Sequence, residues 1–120
     1  MDDVKTIAAL ATEFWKVLRT LERAAENVPD ASKARLQAQA RYAGGRLDAI
    51  LAERGMSVLG FDGRTFEVNL PVSAVNADDF PDEEGLVIER TLEPAVVADM
   101  VPVVTGKVFL ARSEANASRD

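Results

Sequence analysis

Five carboxylates crowd one short stretch of the chain: Asp78, Asp79, Asp82, Glu83 and Glu84, within ADDFPDEEG. Carboxylate oxygens are the donors that calcium selects, and a pair of acids can share general acid–base work. The spacing is not that of an EF-hand, and Phe80 and Pro81 interrupt it. The stretch reads as a solvated loop over 77–85, with Phe80 tucked against a sheet. Nothing else in the chain supplies the missing chemistry. There is no His and no Cys, so the imidazole base, the thiol nucleophile and the usual zinc ligands are all absent. Gly44 and Gly45 belong to no G-x-G-x-x-G, and Gly106-Lys107 opens an apolar run rather than a phosphate loop. No serine stands in a nucleophile-elbow context. The sequence predicts neither an enzyme nor a bound cofactor or metal.

Charge gives the next bound. The formal net charge is −6, which argues against nucleic acid as a partner. Residues 1–60 carry 9 Lys/Arg against 8 Asp/Glu, whereas residues 61–111 carry only Arg64, Arg90 and Lys107 against 10 acids. An acidic second half suits a basic protein surface, although acidic loops also keep a small β module in solution. No apolar run reaches the roughly 20 residues that span a bilayer, and MDDVKTIAAL lacks a basic leader. No membrane is expected as a partner, and a cytoplasmic location is expected.

These side chains must be positioned by two kinds of element. The first 28 residues repeat apolar groups at Val4, Ile7, Ala11, Phe14, Leu18, Leu21, Ala25 and Val28, with Leu10, Trp15 and Val17 widening the seam. That period predicts a helix capped by Asp2 or Asp3 and ended by Pro29. A second helix is predicted over 31–54, capped by Asp30 or Ser32. Its seam is Leu36, Ala40, Ala43, Leu47 and Ile50, with Tyr42 and Leu51 alongside. Gly44-Gly45 within it predicts a kink or a tight contact, and Gly55 closes it. A three-residue connection makes the helices antiparallel neighbours. Their broad seams need cover. A homodimer forming a four-helix bundle through Phe14, Trp15, Leu18, Leu21, Leu47 and Ile50 would supply it, and so would docking of the second half.

After Gly55 the period shortens. Met56 and Val58 open a strand, Phe61-Asp62-Gly63-Arg64 signals a hairpin, and Phe66, Val68 and Leu70 alternate inward along a strand over 65–70. Further strands are predicted over 86–92 and 106–111, with short apolar pieces over 95–97 and 101–105, the second interrupted by Pro102. The fold class is α+β: a helical dimerisation region (1–55), a small all-β module of short strands (56–111) and a flexible tail (112–120).

Taken together, these features are similar to a known family. A helix ending Leu21-Glu22-Arg23-Ala24, a proline break, a second helix ending LDAILAERG, a GMSV strand, the Phe61-Asp62-Gly63 turn and a closing KVFLA strand follow one another. This order resembles the GrpE family of nucleotide-exchange factors for DnaK-type chaperones, over roughly residues 14–111. The family's F-D-P-x-x-H-E-A-V segment is replaced by FDGRTFEVNLPVSAV, its G-Y…R-V-L-R-P-A segment has no clear counterpart, and its long helical stalk is mostly missing. The chain would be a shortened, divergent member.

The resemblance implies a parallel homodimer and a β module that enters the nucleotide-binding domain of a DnaK-type ATPase to release ADP. On it, the partner face falls on two apolar-plus-charged loops, Phe61, Asp62 and Arg64, and Asp99, Met100, Val101 and Pro102. The same architecture without an ATPase client would serve a dimeric adaptor.

Overall fold

The computed structural model describes residues 3–80 and 85–112. Two helices come first, α1 at Asp3–Ala25 and α2 at Asp30–Ala52. Six strands follow: β1 (Met56–Leu59), β2 (Val72–Ala74), β3 (Leu86–Glu93), β4 (Ala95–Ala98), β5 (Val101–Val104) and β6 (Gly106–Arg112). The α+β reading holds: an antiparallel helix pair precedes a set of short strands. The strands form two three-stranded sheets, β1-β4-β5 and β2-β6-β3, here sheets A and B. Sheet A is antiparallel throughout, whereas β2 runs parallel to β6 in sheet B.

Local chemistry explains the boundaries. Pro29 sits at the N-cap of α2 with no side-chain cap; its carbonyl accepts the Lys33 N–H at 2.9 Å, and Asp30 occupies the first turn. The negative charge favours the positive end of the helix dipole there. Residues 53–55 unwind from α2, and Gly55 takes a positive φ of 67° that only glycine adopts freely. A Cβ on Gly55 would lie 2.5 Å from Asp99 Oδ1, so the position excludes a side chain twice over. Gly44 and Gly45 do not break α2. A Cβ on Gly45 would meet nothing within 4 Å and one on Gly44 would meet Leu18 at 3.8 Å, so no tight contact explains them.

Two predicted features of the β half are corrected. The strand expected over 65–70 does not form. Only Thr65 bridges to Val87, and Leu70 N–H turns back to Glu67 O at 3.2 Å. That turn breaks the alternation, so Phe66 and Leu70 face the core of sheet B while Val68 stands 99% exposed. The turn Phe61-Asp62-Gly63-Arg64 is real: Arg64 N–H donates to Phe61 O at 3.0 Å and Gly63 has φ 82°. It does not make a hairpin, because β1 pairs with β4, and residues 63–66 run along β3 instead. The turn therefore carries the chain from sheet A to sheet B. β2 was not anticipated from the pattern. It is extended by Asn76, whose side-chain amide accepts from Leu110 N–H at 2.9 Å and donates to Leu110 O at 3.0 Å.

The core is divided. One cluster, Phe61, Leu86, Ile88, Ala95, Val108 and Leu110, gathers on sheet B, with Ala95 contributed by β4 of sheet A. The other joins Ala8, Ala11 and Leu51 of the helices to Met56 and Val96 of sheet A. Sheet A thus shares its core with the helix pair, and the boundary drawn at residue 55 runs through packed side chains. Arg112 is the last residue of β6, and the rest of the expected tail, 113–120, lies outside the described residues, as does 81–84 of the acidic loop.

Candidate partner-binding surfaces

The helix pair buries little of its own. Among the described residues of α1 and α2 only Ala8, Ala11, Thr12, Ala25, Ala40 and Leu51 are buried. Four alanines, a threonine and a leucine cannot make a core for two helices. Sheet A covers one side of the pair. On the other side α1 presents Leu10, Phe14, Val17 and Leu21, spaced alternately four and three apart. Leu10 is 67% and Val17 66% exposed, and Phe14 is exposed as well. Leu36, Ala43 and Ile50 recur every seventh residue on α2. With Gly44 opposite Leu18, helical geometry lays this line beside the α1 stripe. The result is an open two-helix face with coiled-coil spacing.

The six expected interface residues divide accordingly. Phe14, Leu21 and Ile50 lie on the open face. Leu18 and Leu47 point between the helices, where Leu47 packs against the shared core. Trp15 stands apart from the open face. Its ring faces the β half, 3.3 Å from where a Cβ of Gly60 would stand, and the Arg19 guanidinium lies 4.8 Å over it. With Leu18, Leu47 and Val58 it lines a cleft of about 800 Å³ between the helices and β1. Leu10 and Val17 belong to the open face instead. Their positions beside the seam already signalled that α1 has a second apolar edge.

The two loops expected to meet a partner are separated. Met56 pairs with Ala98 and Leu59 with Ala95, so the Asp99-Met100 turn and the Phe61–Arg64 turn lie beyond opposite ends of β1. Phe61 is corrected: at 2% exposure it is a core side chain of sheet B and offers nothing to a partner. Asp62 is engaged within the chain, as an ion pair with Arg19 at 2.6 Å and as acceptor from Thr91 N–H at 2.9 Å. Arg64 is exposed, its guanidinium 5.4 Å over the Phe61 ring.

The other loop is different. Asp99 and Met100 are the central residues of the β4–β5 hairpin, with φ of 48° and 71°. Two positive φ values are the signature of a type I′ turn, where Asn-Gly is the cheap solution. Here a methionine occupies the second position and is 91% exposed, with Val101 and Pro102 exposed beside it. Asp99 N–H donates to Gly55 O at 2.9 Å, which fixes the tip against the end of the helix pair.

Among the described residues no three His, Cys, Asp or Glu are grouped to hold a metal, and no helix is long and apolar enough to cross a membrane. No family model, curated protein or solved structure matches the chain.

Proposed function

We propose that this chain is a GrpE-like co-chaperone. Two copies join through the open face of the helix pair into a four-helix bundle. The acidic β half binds the nucleotide-binding domain of a DnaK-type chaperone and promotes ADP release. The observation that carries this reading is Met100. Holding a non-glycine residue at positive φ costs on the order of 1 kcal/mol, and here the side chain so held is a nearly bare methionine. Such an arrangement gains nothing inside the chain and suits an apolar anchor for a partner pocket. Asp99 and the acids of the β half add the charge that steers it toward a basic rim.

In this mechanism no bond is made or broken by the factor. It binds the open form of the ATPase better than the closed one, and by linkage lowers the affinity for nucleotide. The test is release of a labelled ADP analogue from a DnaK-type ATPase. The chain is expected to accelerate release, and Met100→Ser to weaken that effect roughly tenfold, the usual scale for a lost anchor. No acceleration and no binding would sink the reading.

A second reading is a dimeric adaptor with no ATPase client. It is favoured by FEVNLP, which stands where the family has its His-bearing segment and folds as turns rather than a strand. Binding to a DnaK-type ATPase without faster release, or a partner outside that class, would select it.

A further inference from the structure

Sheet B is joined to the rest of the molecule by three strand crossings: residues 59–61, 93–95 and 104–106. Its core takes in Ala95 of β4 but no residue of the helices, which pack instead into a second cluster with sheet A. Charged contacts join the sheet B limb to α1, and they come from one face of that helix. Arg19 pairs with Asp62 at 2.6 Å, and one turn earlier Lys16 pairs with Glu93 at 3.8 Å. Glu93 lies at one crossing and Asp62 directly follows another. Asp62 also accepts from Thr91 N–H, and Thr91 Oγ1 accepts from Phe61 N–H at 2.8 Å, so the carboxylate grips the start of the limb and β3 together. Glu93 is held from the other side by Lys107 at 3.2 Å. Trp15, stacked under Arg19, fills the space above Gly60 at the same crossing that leads to Asp62.

We propose that Arg19–Asp62 and Lys16–Glu93 form an ionic clasp that sets the angle between the helix pair and the sheet B limb. When the clasp opens, the limb turns about the three crossings without unfolding. Asp62 is then a positioning residue rather than a contact for a partner. Both pairs are partly exposed, so salt weakens them: the Debye length falls from about 10 Å at 0.1 M to about 3 Å at 1 M. The clasp therefore makes limb orientation depend on ionic strength. Its test needs no partner, so its failure is distinguishable from failure of the exchange-factor reading.

The chain has no cysteine, so Ala34→Cys on α2 and Glu89→Cys on β3 place two spin labels cleanly at exposed sites. Labelled chains diluted with unlabelled ones report the distance within one copy. A single narrow distribution is expected at low salt, broadening at 1 M. Asp62→Ala with Lys16→Ala should give the broad form at any salt, with the displaced population raised roughly tenfold. Asp62→Asn keeps an acceptor for Thr91 while losing the charge, and Arg19→Gln removes the pair from the helix side; both should broaden the distribution with far-UV dichroism unchanged. Identical narrow distributions in all variants and salts would overturn the proposal. So would loss of sheet B structure in every variant, since that would make these residues determinants of fold rather than of angle.

Discussion

Met100 and Gly55 meet at the same corner of the molecule and answer to opposite demands. At Met100 the backbone would prefer glycine. Met100→Gly is therefore expected to raise stability by about 1 kcal/mol while weakening partner binding, read from a melting curve and a binding titration on one sample. At Gly55 the demand runs the other way: Gly55→Ala meets both a positive φ and the Asp99 carboxylate, and should cost roughly 2 kcal/mol or more in denaturant unfolding. Gly45 provides a control. Its Cβ position is empty, so Gly45→Ala should gain about 0.5–1 kcal/mol in the same measurement. Gly55 was legible in the sequence because a glycine ending an apolar-periodic run has one ordinary use. Phe61 was not. An aromatic beside Asp-Gly reads equally well as loop tip or core, and only the partners of sheet B decide that it is core.

For the elements, α1 determines what the helix pair can do. Its inner face contacts α2 and the β half, while Leu10, Phe14, Val17 and Leu21 form a separate stripe. If a second copy covers that stripe, Leu10→Glu or Val17→Glu should weaken self-association by roughly 2 kcal/mol, about thirtyfold in Kd, with helicity retained. Light scattering across a dilution series reads this. Trp15→Ala should leave the solution mass unchanged, because its ring packs on Gly60 within its own chain. The helices were legible almost to their ends: α1 repeats apolar residues at helical spacing over 23 residues, and α2 is bracketed by Pro29 and Gly55. Strands of three or four residues carry no comparable signal. β2 exists because β6 and the Asn76 amide hold it, and 65–70 fails as a strand although it alternates well. Its turn at Glu67 was decided by where Pro71 and β2 had to go, which is a matter of tertiary arrangement.

The Cα trace extends only 18 Å along its shortest axis against 44 Å along the other two, and the helix pair has an open face. A dimer through that face would make the melting temperature rise with protein concentration. The interleaving of the sheets has one more consequence, for how the chain reaches this shape. β1 pairs with β4 across the whole of β2 and β3, joining Met56 to Ala98, and β2 pairs with β6, joining Val72 to Gly106. Each sheet thus encloses part of the other, and neither can close until most of the chain has been synthesised. Loop-closure entropy for both ladders must be met before either is rewarded, so folding should be slow for a chain with two 23-residue helices and should finish in one concerted step. During translation the helices would emerge first, with both apolar faces bare, and would have to wait for the last strands to cover one of them.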